Sequence, residues 1–158
     1  MDIKILVMDV DGTLTDGKIY MGENGELCKA FNIKDGYGIH DILIPANIIP
    51  VIITGRESMI VKNRCYELDI SEVYQGIKDK KEKLIDIANK YNIELKEVAY
   101  IGDDINDLSC MEEIKRAGGV IACPADASKQ IIDLSDYVSE YRGGEGAVRD
   151  FIEWIISN

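Results

Sequence analysis

The stretch Ile3-Lys4-Ile5-Leu6-Val7-Met8-Asp9-Val10-Asp11-Gly12-Thr13 decides the fold. Its apolar run is short, carries Ile and Val, and is closed by a turn-forming glycine, which is how a buried strand of a parallel sheet reads. Asp9 and Asp11 stand two residues apart where the run ends. Gly12 frees the chain to turn there, so Asp11 leaves the buried path that Asp9 still follows. Such a pair suits an aspartate nucleophile attacking phosphorus, with the second carboxyl handing a proton to the leaving oxygen. Asp and Gly also end strands in ordinary turns, and this segment alone does not separate the two readings.

Outward from that stretch, short apolar runs alternate with amphipathic ones. Strands are expected at 3–9, 50–53, 72–75, 98–101 and 119–122, each rich in Ile or Val. Helices are expected near 36–46, 57–68, 79–91, 105–116, 126–133 and 144–156. In the 79–91 segment Leu84, Ile87, Ala88 and Tyr91 recur at helical spacing with lysines opposite. The pattern predicts a doubly wound parallel α/β sheet whose ligand lies at the carboxyl ends of the strands. One piece interrupts it. Lys18–Met21 and Glu26–Phe31, joined by Gly22-Glu23-Asn24-Gly25, read as a β-hairpin rising beside Asp11.

The 158 residues are expected to form one domain, 1–158, with a substantial core. No apolar stretch approaches the roughly 20 residues that span a bilayer, and no leader pattern of basic, apolar and small residues opens the chain. Cys28, Cys65, Cys110 and Cys123 are scattered without metal-ligand spacing and read as free thiols of a cytoplasmic protein. A formal net charge of −11 argues against nucleic acid or an anionic membrane as partner. An anionic small molecule stays compatible, because a divalent cation and a few placed lysines invert the field locally. His40 is the sole histidine, which excludes a multi-histidine zinc site and disfavours a Ser-His-Asp triad.

Three more strand ends carry polar chemistry. Val51-Ile52-Ile53 runs into Thr54-Gly55-Arg56, offering a hydroxyl and a free amide to a phosphate oxygen, or serving simply as a helix cap. Lys80 opens a helix, where the dipole disfavours a cation unless an anion lies near; Lys81 and Lys83 read as a solvated face. Ile101-Gly102-Asp103-Asp104-Ile105-Asn106-Asp107 crowds three acids at one strand end. Like charges so close need compensation, and Mg2+, which takes carboxylate oxygens, would supply it together with Asp9. The alternative is a capped helix start, with Asp104 as cap and Asp107 in the first turn.

The order Asp-x-Asp-Gly, strand-Thr-Gly, Lys at a helix start, strand-Gly-Asp-Asp-x-x-Asp resembles the haloacid dehalogenase superfamily, with Thr54 in its second motif, Lys80 in its third, and Asp103 and Asp107 in its fourth. Between Asp11 and Thr54 lie 42 residues and between Thr54 and Lys80 lie 25, already filled by the predicted elements, so no lid domain fits. Asp16–Gly22, Lys29–Asn32, Asp35–Ile39, Ile53–Arg56, Tyr74–Gly76 and Gly143–Arg149 are similar to the capless branch that acts on 3-deoxy-D-manno-octulosonate 8-phosphate. The resemblance implies a Mg2+-dependent homotetramer hydrolysing a phosphorylated keto-deoxy sugar acid of lipopolysaccharide biosynthesis through an aspartyl-phosphate. It implies Asp9 as nucleophile, Asp11 as acid and base, Thr54, Gly55 and Lys80 on the phosphate, and Mg2+ on Asp9, Asp103 and the Asp11 carbonyl. Asp104 and Asp107 would support, Arg56 would meet the sugar carboxylate, Lys29 and Arg149 border the substrate, and the Gly143–Gly146 loop would close a neighbouring site. Ala122–Ala127 and Gly118-Gly119 are more similar to relatives acting on nonulosonate 9-phosphates, which keeps that substrate open. A silent scaffold and a phospho-acceptor receiver module are the remaining readings; neither requires Asp11 beside the nucleophile.

Overall fold

The computed structural model describes residues 1–158. Its main sheet contains β1 (Ile5–Met8), β4 (Ile49–Ile53), β5 (Glu72–Tyr74), β6 (Val98–Ile101), β7 (Val120–Cys123) and β8 (Tyr137–Val138). All pair in parallel, in the order β5-β4-β1-β6-β7-β8. The chain leaves β1 toward one edge and returns to its other side at β6, so the order reverses around β1. At such a reversal the flanking helices part and leave a crevice at the strands' carboxyl ends. Asp9 follows β1 directly and therefore stands in it.

Helices cover both faces. On one, α1 (Ile33–Tyr37), α2 (Met59–Glu67) and α6 (Ala147–Ser157) enclose Leu6, Met8, Ile39, Ile52, Phe151 and Ile152. On the other, α3 (Lys80–Tyr91), α4 (Ile105–Ala117) and α5 (Lys129–Leu134) enclose Val7, Val51, Leu84, Tyr100 and Met111. Strand side chains alternate between these cores, which is why the runs are apolar throughout. No helix is long and apolar enough to cross a membrane.

The hairpin is β2 (Tyr20–Gly22) with β3 (Gly25–Cys28), antiparallel, and pairing of Gly22 with Gly25 leaves Glu23-Asn24 as a two-residue turn. Its second strand stops at Cys28 rather than Phe31, and Phe31 instead bridges back to Thr15. The first helix begins at Ile33, capped by Asn32, and widens to a π-helical turn over Gly38–Leu43. The last helix begins at Ala147 rather than 144, because Gly144 and Gly146 hold φ of +72° and +110°, angles that no helix continues through. β8 has no counterpart among the expected strands; two residues are too few to show a period.

Candidate active site

Four strand ends meet at the crevice. Asp9 is 3% exposed and its Oδ1 accepts from Lys80 Nζ at 2.9 Å. Lys80, the first residue of α3 and itself buried, also donates to Asp107 Oδ1 at 2.8 Å. The two anions explain a cation at a helix start, which the dipole would otherwise oppose. Lys81 and Lys83 pair instead with Glu113 and Asp86 nearer the surface.

Asp107 is fully buried, and every direction around its carboxylate is used. Oδ1 accepts from Lys80 and from Tyr100 Oη at 2.7 Å. Oδ2 accepts from the backbone N–H of Asp103 at 3.0 Å and of Asp104 at 3.3 Å. Asp104 caps α4 in a reciprocal capping box with Asp107 and faces solvent. Asp103 Oδ1 accepts from Thr13 Oγ1 at 3.0 Å. Gly12, at φ +92°, has no room for a Cβ, which would overlap the Asp103 carboxylate. The loops after β1 and β6 thus press together, and glycine is required where they do.

Carboxylate oxygens of Asp9, Asp103 and Asp107 all lie within 4.8 Å of one another. Burial first, then the charge of Asp107, raises the Asp9 carboxyl to about 6, with Lys80 opposing. Burial first, then Asp9 and Asp107, raises Asp103 to about 8. Burial alone would lower the Lys80 ammonium, but Asp9 and Asp107 outweigh it and raise it. Lys80 alone therefore leaves the acids under-compensated. An all-oxygen donor set with surplus negative charge fits a hard divalent cation such as Mg2+. Because Asp107 is consumed by its own hydrogen bonds, Asp9 and Asp103 are the side chains free to hold it. The Asp11 carboxylate lies outside this group, so only its backbone carbonyl remains as the donor expected of that residue.

Asp11 points the other way. Its Oδ1 accepts from Lys29 Nζ at 2.5 Å, and Arg56 Nε stands 4.0 Å from Oδ2. Lys29 also donates to Glu26 Oε2 at 3.1 Å, and Arg56 Nη2 reaches the same oxygen at 3.2 Å. Ser58 Oγ donates to Glu26 Oε1 at 3.3 Å. Glu26 thus ties the hairpin to the loop after β4, a role its sequence neighbourhood did not signal beyond its spacing of three from Lys29. Thr54 is buried at the end of β4, its amide on the Tyr74 carbonyl, and Gly55 beyond it is open to solvent. Tyr100 was missed as well, although a buried tyrosine hydroxyl needs a partner.

Arg149 stands apart from the acids, whereas the glycine loop reaches the loop that follows β1. Arg149 sits on α6, its guanidinium paired with Glu153 at 2.6 Å and stacked over Tyr37. The Gly143–Gly146 loop packs against the Gly12–Asp16 loop of its own chain.

The parallel sheet, the crevice at its reversal and the acids around Lys80 define a class. The family model for haloacid dehalogenase-like hydrolases matches residues 59–152, and the chain belongs to that family. Within it, the chain is 44% identical over 155 residues to the 3-deoxy-D-manno-octulosonate 8-phosphate phosphatase of Salmonella typhi, covering 98% of this chain and 80% of that one. The Escherichia coli phosphatase of the same name is 43% identical over the same shares. A crystal structure of the Moraxella catarrhalis phosphatase, in complex with magnesium, phosphate and the sugar acid, superposes with a TM-score of 0.91 at 41% identity, over 99% of this chain and 87% of that one.

Proposed function

We propose that the chain is a Mg2+-dependent phosphatase that hydrolyses 3-deoxy-D-manno-octulosonate 8-phosphate to the sugar acid and inorganic phosphate. The observation that carries this reading is the separation of two carboxylates two residues apart. Asp9 lies in the buried acid group beside Lys80, and Asp11 faces the cationic rim of Lys29 and Arg56. The likeness to octulosonate phosphatases over nearly the whole chain supports the substrate.

Asp9 attacks phosphorus in line, the bond from phosphorus to the sugar oxygen breaks, and Asp11 gives its proton to that oxygen. Asp11, now a carboxylate, takes a proton from water as the water attacks the aspartyl-phosphate, freeing phosphate and restoring Asp9. Lys80 holds Asp9 and a phosphate oxygen, and Thr54 with the Gly55 amide receives the others. Asp107 fixes Lys80. Mg2+, when held by Asp9 and Asp103, neutralises phosphate charge as a Lewis acid. Arg56 offers a planar fork to the sugar carboxylate.

Assembly as a homotetramer in the cytoplasm belongs to the same reading. It is supported by Ile19, Met21 and Leu27, exposed on the hairpin at 41%, 60% and 69%, and by four free cysteines. The test is phosphate release from a panel of sugar phosphates, ranked by kcat/KM with Mg2+ and with EDTA. Octulosonate 8-phosphate should rank first and EDTA should stop turnover. A nonulosonate 9-phosphate in first place would move the substrate, and no release from any member would leave the scaffold reading.

A further inference from the structure

We propose that Gly143 and Gly144, clamped by Asp126, are positioning residues that hold the Asp9–Asp16 loop in its reactive shape. This rests on the phosphatase reading above, and deepens it by assigning a task to a segment far from the four motifs.

The catalytic loop has no regular structure of its own. It is stapled internally by the amides of Thr13, Leu14 and Thr15 on the Val10 carbonyl, and by the amides of Gly12 and Gly17 on Thr15 Oγ1. From outside, the Gly144 amide donates to the Thr13 carbonyl at 3.1 Å. Gly143 is buried so tightly that a Cβ on it would overlap the Gly12 carbonyl oxygen. A Cβ on Gly144 would meet the Asp16 amide nitrogen at 2.6 Å. Backbone lies on backbone here, with no flexible side chain between to absorb a shift.

The two glycines are themselves fixed on two sides. Asn32 Nδ2 donates to the Gly144 carbonyl at 3.2 Å, while Asn32 Oδ1 caps α1. Asp126 Oδ1 accepts from the Gly143 amide at 2.9 Å, and the Ala125 amide donates to the Tyr141 carbonyl at 2.8 Å. Two residues past Asp126, the Ser128 amide donates to the Asp103 carbonyl at 2.8 Å. The loop after β7 therefore touches both loops that carry acids, Asp103 directly and Asp9–Asp16 through the glycines. Asp126 reaches no reacting atom in this arrangement and acts only through what it holds.

Gly143 and Gly146 give a controlled comparison. Gly143 lacks a positive φ, so alanine there meets only crowding, against the Gly12 and Thr15 carbonyls. Gly146 has φ +110° and nothing nearer than 3.9 Å, so alanine there meets only backbone strain. Gly143→Ala should lower kcat by about 100-fold, the cost of displacing a reacting group by about 1 Å, with KM little changed. Its Mg2+ affinity by calorimetry should also weaken. Gly146→Ala should lower Tm while leaving kcat and Mg2+ affinity as in the parent. Asp126→Ala should reproduce the kcat and Mg2+ losses in milder form, and Asp126→Asn, which keeps an acceptor for the Gly143 amide, should restore them. Equal kcat losses in the two glycine variants would overturn the proposal. So would parental kcat and Mg2+ affinity in Asp126→Ala, a result readable even if Gly143→Ala does not fold. Absence of phosphatase activity in the unaltered protein would instead overturn the functional reading on which the proposal rests.

Discussion

The two carboxylates of the Asp9-Val10-Asp11 stretch end up in opposite surroundings. Asp9 belongs to a pole built from the end of β1 and the first turns of α3 and α4, where Asp9, Lys80 and Asp107 are each 3% exposed or less. Asp11 belongs to a rim built from the hairpin and the loop after β4, where Arg56 has half of its side chain in solvent. Burial makes the pole's interactions strong and its geometry fixed, because charge there is screened only by other placed charge. At the rim the Lys29 side chain is also out of solvent, at 1% exposed, but the pairs of Arg56 with Glu26 and Asp11 lie partly in water and exchange partners cheaply. The pole therefore suits the phosphoryl group common to every substrate, and the rim suits the part of the molecule that varies.

The largest effect should come from the pole's reacting atom. Asp9→Asn keeps the side chain's shape and removes the nucleophile of the proposed reaction, so kcat should fall by at least about 10⁴-fold, as when a nucleophile is deleted elsewhere. Circular dichroism should stay unchanged. Residual turnover near the parent rate would remove the pole from the chemistry.

Next comes Asp107. Its replacement by Ala takes one of two anions from the Lys80 ammonium and leaves the Tyr100 hydroxyl and two amides without their acceptor in a dry site. Breaking one side of a buried pair costs about 3–5 kcal/mol, which a urea midpoint would register. Arg56→Ala, at the rim, should move the same midpoint by less than about 1 kcal/mol. Similar shifts in both would erase the distinction.

Asp35 sharpens the contrast, since it is a buried acid with no lysine. It is 1% exposed, its Oδ1 accepts from the Arg149 amide at 2.9 Å, and its Oδ2 has no partner. Burial raises its carboxyl to about 6 against the helix N–H groups and Arg149, which oppose. The folded state therefore holds this proton more tightly than the unfolded chain does. Stability from this group is complete below about pH 4 and is lost as pH rises through 6, a change on the order of 3 kcal/mol. Urea unfolding across that window should show this component of the slope in the parent and lack it in Asp35→Asn. Identical slopes would mean that Asp35 ionises normally.

Which residues meet at the pole was legible in the sequence, and the reason is topological. In a doubly wound parallel sheet the segments that follow the strands all leave at the same edge, so Asp9, Lys80 and Asp103 can be brought together without knowing a side-chain contact. The rim was harder. Lys29 reaches Asp11 only because the hairpin folds back over the loop, and Glu26 only because its turn is two residues long. The glycine loop was harder still, since nothing local told that it presses on Gly12 of the same chain. Asp35, one residue before the expected helix at 36–46, gave no sign of burial, because the contact that buries it comes from a helix more than a hundred residues away.

The smallest effect tests the rim directly. Arg56 presents two faces, one on Glu26 and one toward Asp11, and its fork is the group left to receive a substrate carboxylate. Arg56→Ala should raise KM for octulosonate 8-phosphate by about 10-fold, the scale of one exposed charged contact, with a smaller change in kcat. Arg56→Lys should not restore KM, since an ammonium cannot meet two carboxylate oxygens in one plane. Hexose 6-phosphates carry the phosphoryl group without the carboxylate, so their kinetics should be nearly indifferent to either change. An equal loss on both kinds of substrate would place Arg56 on the phosphate, and the line between pole and rim would have to be redrawn through the loop after β4.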